Sequence, residues 1–297
     1  MIPLDLTGKV ALVTGVGDNV GFAWHIAKTL QAAGARLFLA VHPRLVDIVE
    51  NILEREPDAP SRVLPYGAGN LRVEKVIACD VGFDTMDDVD EKTRNDRRFA
   101  KRGDYSIQGM LKTFQSSCSQ IDILIHSVAF SPEITHKAID VSRKAYLTAL
   151  SVSAYSLTAL LRACQPLMEN RPGGASAVGL TYLGGSRVVP HYGGGMSTAK
   201  AALQIDAMQL AHNLGPKNIR VNLISAGPYA SRAASAIGKG DHSIHDMIDY
   251  AASRSPLPRG VQAEEVANAA AFLCSPLASA ITGEVLYVDC GYNVMGV

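Results

Sequence analysis

Residues 192–200 read YGGGMSTAK, so a phenol and an ammonium stand eight positions apart with three glycines between them. A phenol can donate to a carbonyl oxygen as charge develops on it, and an ammonium can hold neighbouring hydroxyls in place. On an unbroken helix the eight-residue gap would separate the two groups by two turns, roughly 12 Å. Gly193, Gly194 and Gly195 disfavour helix, so Tyr192 is expected to precede the helix carrying Lys200 and to swing over a bound cofactor. The absent side chains are also expected to leave room for a long, thin substrate. Tyr182, at the end of a β-rich run, supplies a second phenol.

Lys200 sits early in a helical pattern, with Leu203, Ala207, Leu210 and Leu214 at helical spacing and Gly215–Pro216 closing it. A second motif, TGVGDNVGFAW, follows the first β-rich run. Gly15, Gly17 and Gly21 there allow a tight turn and a close backbone approach to a pyrophosphate at a helix N-terminus. The spacing is GxGxxxG rather than the more usual GxGxxG, so position after a strand carries the signal. Asp80 ends the third run and can accept from an adenine amino group, or simply cap a turn. The small residues of HSVAFSP end the fourth run and would let a nicotinamide ribose lie close to the backbone. After the second run, where an acid often binds the ribose hydroxyls, stand His42 and Arg44, which leaves NADH against NADPH open.

The elements that must position these groups alternate. Apolar β-rich runs at 9–15, 35–41, 74–80, 121–127, 176–183, 219–227 and 284–290 are separated by helical patterns such as 22–33, 139–169 and 198–214. The runs are continuous rather than alternating, as expected of strands covered on both faces. This order predicts an α/β fold: one Rossmann-type, doubly wound parallel sheet of about seven strands with helices on both faces, in a single domain over 1–297. Two stretches depart from it. Residues 57–104 are dense in mixed charge around one short strand and read as a solvated excursion. Residues 228–260 follow a strand end and read as a lid over the binding crevice.

With 28 basic and 28 acidic residues among 297, net charge gives no case for nucleic acid or an anionic membrane as partner. No apolar run is expected to approach the length of a membrane span. The five cysteines, Cys79, Cys118, Cys164, Cys274 and Cys290, lack CxxC pairing and read as buried free thiols rather than disulfides or metal ligands. As given, the chain reads as a cytoplasmic protein without a leader, or a plastid or apicoplast stromal one if a transit peptide was trimmed.

Short-chain dehydrogenases share this strand order but use Tyr-x-x-x-Lys, and Met196 stands four residues before Lys200. The chain instead resembles the enoyl-acyl-carrier-protein reductases of type II fatty-acid synthesis, in the plastid, apicomplexan and chlamydial branch. The stretches GVGDNVGFAW, IDILIHSVAFSPEI, LTYLGGSRVVPHYGGGMSTAKAALQ, RVNLISAGPYASRAASAIGKG and SPLASAITGEVLYVD carry the resemblance almost end to end. It implies NADH-dependent reduction of a trans-2-enoyl thioester on acyl carrier protein, by a homotetramer. The catalytic residues would be Tyr182, Tyr192 and Lys200. The cofactor would be bound by Gly15, Gly17, Gly21, Phe22, His42, Asp80, Val81, Ser127, Val128, Ala129, Thr181, Lys200, Ala226, Gly227, Pro228, Tyr229 and Ser231. The acyl chain would meet Phe130, Ser131, Tyr182, Tyr192, Met196, Ala233, Ala234 and Ile237. His42, Val81, Phe130, Gly184, Gly185, His191 and Tyr229 depart from that branch's usual residues. The alternatives are a short-chain oxidoreductase acting on a ketone or alcohol, or a non-catalytic nucleotide-binding homologue.

Overall fold

Each of the seven apolar runs forms a strand: β1 (Val10–Thr14), β2 (Arg36–Val41), β3 (Lys75–Ala78), β4 (Ile123–His126), β5 (Ala175–Thr181), β6 (Ile219–Ala226) and β7 (Val285–Val288). The structure, a computed structural model, describes residues 4–190, 192–231 and 243–296. The strands lie in the order β3-β2-β1-β4-β5-β6-β7 and every pairing is parallel. Strand order reverses between β1 and β4, so the crevice beyond their carboxyl ends is where a ligand is accommodated in such a sheet.

Two apolar layers cover the sheet. The first helix (Phe22–Ala32) and the helix Ala263–Cys274 pack together on one face, with Trp24, Ile26 and Leu30 against Val266 and Ala270. Ile107–Gln115, Ser156–Met168 and Met196–Leu214 cover the other, through Met110, Phe114, Leu157, Leu160 and Leu203. β7 departs from the two-faced burial expected of every strand: Leu286 and Tyr287 are exposed, because it is a sheet edge.

The helical pattern at 139–169 is not one uniform helix. It starts at Arg143, capped by Ser142, widens into a π-turn over Ser151–Tyr155, and continues to Met168. The fusion makes Arg143–Met168 long and apolar enough, by length and composition, to cross a membrane, contrary to the expectation from uninterrupted runs; half of the qualifying stretch is buried in the fold. Of the cysteines, Cys79, Cys164 and Cys274 are buried and free as expected, whereas Cys118 and Cys290 are free but only partly buried. The excursion is not merely solvated either, since Val89, Phe99 and Tyr105 form a small core of their own beside β3.

Asp122, 2% exposed, ties the amino ends of the strands together. It accepts from Val10 N at 2.9 Å and Arg171 Nε at 3.1 Å and faces Lys9 Nζ at 3.4 Å. Removing one partner of a buried ionic cluster strands the others. Asp122→Ala should lower unfolding free energy by about 2 kcal/mol in urea titration, and leave the distant carboxyl-end site intact.

Candidate active site

The Gly-rich turn lies at the strand-order reversal. Gly15 has φ +85°, and a Cβ there would stand 1.9 Å from Ser127 O, so β1 and β4 converge where only glycine fits. A Cβ on Gly17 would touch Leu45 Cδ1 at 3.0 Å. Asp18 Oδ1 accepts from Gly21 N at 2.7 Å and Val20 N at 3.0 Å and fixes the entry to the first helix. Asp18 was not singled out in the sequence, although an acid two or three residues before such amides is an Asx-turn signal. The closely approached backbone, opening an eleven-residue helix, fits a dinucleotide pyrophosphate. Phe22 stacks on Tyr229 with ring centroids 4.8 Å apart, which joins the start of that helix to the segment after β6. Ala226, Gly227 and Pro228 lead into that contact, and Ser231 N donates to Tyr229 O at 2.9 Å.

Beyond the carboxyl ends of β2 and β3, His42 Nε2 lies 3.4 Å from Asp80 Oδ2, while Asp80 Oδ1 accepts from Gly82 N at 3.0 Å. Asp80 therefore caps a turn with one oxygen and faces His42 with the other. Val81 is buried beside it.

Lys200 is only 4% exposed, and its Nζ donates to Leu180 O at 2.8 Å. Burial lowers its pKa from 10.5 to about 8, so it is charged at neutral pH but not by a wide margin. Thr181 beside it accepts from Gln204 Nε2 at 3.2 Å. The helix opens at Met196 with Gly195 at φ +80°, so Tyr192 precedes the helix as its glycines foretold. Tyr192 and Tyr182 meet edge to face, 4.8 Å between centroids. Burial pushes both phenols well above their usual pKa, each further raised by neighbouring groups, so both are hydrogen-bond donors and not bases.

The glycines do not open space beside the tyrosine. A Cβ on Gly193 would stand 1.9 Å from His136 O, and one on Gly194 2.4 Å from Glu133 O. The 131–136 loop fills that room, donating from Ser131 Oγ to Gly194 O at 2.7 Å and accepting from Gly194 N at His136 O, 2.9 Å. Gly184 and Gly185 have the same purpose on the other side. A Cβ on Gly184 would meet Tyr192 Cδ1 at 2.6 Å, and one on Gly185 would meet Lys200 C at 2.9 Å.

Of the expected acyl contacts, Phe130 is exposed, Ser131 is buried in its loop, and Met196 is 3% exposed beneath Tyr192 with Ala149 and Ala199. Ala233, Ala234, Ile237 and His191 lie outside the described residues, as does the middle of the expected lid; its described remainder includes the helix Ile244–Arg254. Ser127, Val128 and Ala129 line the end of β4.

Two buried groups escaped the sequence reading. Ser153, turned inward by the π-turn, accepts from Phe130 N at 2.9 Å and lies 3.5 Å from Met196 Sδ. His126 Nε2 lies 2.7 Å from Ser156 Oγ, and that hydroxyl donates to Val152 O at 2.7 Å. Ser156 therefore accepts from His126, which places the proton on Nε2 and leaves Nδ1 a buried acceptor with no protein partner among the described residues. Burial, with Lys200 second, lowers His126 to about 3 and keeps it neutral. Neither serine has a periodicity or spacing that marks it.

Residues 101–293 match a family described as enoyl-(acyl carrier protein) reductase. The chain is 46% identical over 297 residues to the chloroplastic enoyl-acyl-carrier-protein reductase (NADH) of Arabidopsis thaliana, covering 100% of this chain and 74% of that protein. It is 41% identical to the reductase of a Nostoc species, covering 99% of each. The Plasmodium berghei reductase crystallised with triclosan superposes with TM-score 0.91 at 38% identity, over 97% of this chain and 99% of that one. The Anaplasma phagocytophilum reductase in complex with NAD does so with TM-score 0.77 at 32% identity, over 99% and 97%.

A lysine whose pKa falls on folding costs stability wherever the unfolded chain holds the proton more tightly. For Lys200 that cost is full below about 8 and fades as pH rises toward 10.5. Lys200→Met should therefore raise the unfolding free energy by on the order of 1 kcal/mol at pH 7, with a smaller gain at pH 10. A urea titration in which the variant is less stable at pH 7 would show that the bond to Leu180 O outweighs the burial.

Proposed function

Because the chain belongs to the enoyl-acyl-carrier-protein reductase family, we propose that Tyr192, Lys200 and Tyr182 are the residues with which it works. The protein reduces a trans-2-enoyl-acyl-carrier-protein to the acyl form with NADH in fatty-acid elongation. NADH, when bound, supplies the hydride that reaches the substrate β-carbon. The Gly15–Gly21 turn and the first helix hold the pyrophosphate, and His42, Asp80 and Val81 border the adenine. Lys200 holds the nicotinamide ribose hydroxyls.

Tyr192 donates its hydrogen bond to the thioester carbonyl and stabilises the enolate oxygen as charge develops there. Its raised pKa keeps that proton on the phenol at neutral pH. A carbonyl beside sulfur needs polarising rather than a strong base, so a held phenol suffices. Tyr182 is a positioning residue, fixing the Tyr192 ring by edge contact at 67°. Phe130 borders the acyl site, with Met196 packed beneath Tyr192. The observation that carries this reading is that Tyr192, off the helix, packs edge to face on Tyr182, two residues after the Leu180 carbonyl that holds the desolvated Lys200.

The partner is the acyl carrier protein that bears the substrate. Exposed Leu147, Ile205 and Met208 on two long helices, with Leu286 and Tyr287 on the edge strand, support a homotetramer through these faces. The reaction belongs to the compartment that holds the carrier protein, the cytoplasm or a plastid stroma.

The test is NADH oxidation followed at 340 nm with crotonyl-CoA and longer enoyl thioesters, against a panel of ketones. Turnover of ketones alone would overturn the reading. Tyr192→Phe should lower kcat by about 100-fold or more while changing NADH affinity little, as expected for a donor aimed at a developing oxyanion. Unchanged turnover would move the catalytic role to another group.

A further inference from the structure

Arg44 and the charged excursion are left unused by this mechanism, and they meet. In sheets of this kind an acid after the second strand binds the ribose 2′-hydroxyl of NAD, whereas an arginine there accommodates the 2′-phosphate of NADP. This chain has the arginine and not the acid. Leu45, the next residue, touches the phosphate-binding turn at Gly17, so Arg44 stands at the mouth of the dinucleotide site. On its own it would favour NADPH.

The guanidinium is already engaged. Arg44 Nη2 donates to Asp96 Oδ2 at 3.2 Å, and its Cζ lies 5.1 Å from the centre of the Phe99 ring. Phe99 in turn meets His42 edge to face at 5.4 Å, and His42 faces Asp80. Asp96 is held by its own elements: it caps the helical turn Arg97–Ala100 by accepting from Arg98 N at 2.9 Å. Arg98 donates to the same carboxylate, and hydrogen bonds from Arg98 keep Asp96 ionised with a pKa of about 2. Two further cations of this corner, Lys101 and Arg102, both pair with Asp47.

We propose that Asp96, brought in by the charged excursion, is a positioning residue for cofactor choice: it occupies the Arg44 edge that a 2′-phosphate requires, so NADH is taken over NADPH. The inference rests on the NADH-reductase reading of the site. Two effects act together. The arginine fork that would grip a phosphate is shared with a carboxylate, and that carboxylate repels the extra phosphate directly. An acid supplied from another segment thus replaces the acid missing after β2.

The test measures binding without turnover, by cofactor fluorescence for NADH and NADPH and by calorimetry for ADP and 2′,5′-ADP. Asp96→Asn keeps the side-chain acceptor that caps Arg97–Ala100, and Asp96→Ser is a second capping variant. Either should tighten NADPH and 2′,5′-ADP by about tenfold, with NADH and ADP moving by less than about twofold. Adding Arg44→Ala should erase the gain, and Asp96→Glu should restore the parent preference. A general loosening of the site would move both dinucleotides alike and would overturn the proposal. So would a gain that survives Arg44→Ala, or a parent that binds NADPH as tightly as NADH. A parent that bound neither dinucleotide would instead defeat the reductase reading.

Discussion

One ammonium has to stay charged where water hardly reaches. Lys200 Nζ donates to Leu180 O, and burial among the described residues lowers its pKa to about 8. The surroundings are arranged to add no competing positive charge. His126, on the adjacent strand, is kept neutral by burial, and Ser156, whose hydroxyl is itself committed to Val152 O, fixes its tautomer. A charged imidazole there would push the lysine toward deprotonation. On the proposed reading such a site is destabilised for its use: the energy that would favour a neutral core residue is given up to hold a group for the ribose hydroxyls.

The tyrosine is placed by backbone rather than by its own side chain. Gly193 and Gly194 press against the carbonyls of 133–136, and Ser131 fastens Gly194 from the other side. Gly184 makes room for the Tyr192 ring, and Gly185 for the helix that carries Lys200. Four glycines in two segments therefore bring the phenol and the ammonium to one end of the sheet. The π-turn belongs to the same device, since it turns Ser153 onto the backbone of Phe130 and against Met196, at the start of that helix. A wider helical turn is costly in isolation and is retained where it re-aims a residue at a functional surface.

The charged excursion makes the other end of the crevice. It packs Phe99 beneath His42 and supplies Asp96 to Arg44 and the two cations that pair with Asp47. Individually such exposed ion pairs contribute little to stability. Their effect here is orientation, because a helix cap and two arginines converge on the Asp96 carboxylate while Phe99 packs on one of them.

Local signals by themselves determined a good part of this protein. Continuous β-rich runs and helical periodicity gave all seven strands and their parallel order, since both faces of a wound sheet demand apolar residues at every position except along the edge, where β7 departs. Glycine's conformational freedom was enough to predict that Tyr192 leaves the helix and that the first turn allows a close backbone approach. What those glycines pack against was invisible, because the carbonyls of Glu133 and His136 are some sixty residues away in the chain. The same holds for Arg44: as a residue it left NADH against NADPH open, and its partner Asp96 lies 52 positions later in the chain. Whether Met196 lines a channel or fills a core, which nitrogen of His126 carries the proton, and how far the Lys200 ammonium is desolvated were all decided by tertiary structure. Each depends on groups that folding brings within a few ångströms, and sequence spacing carries no record of them.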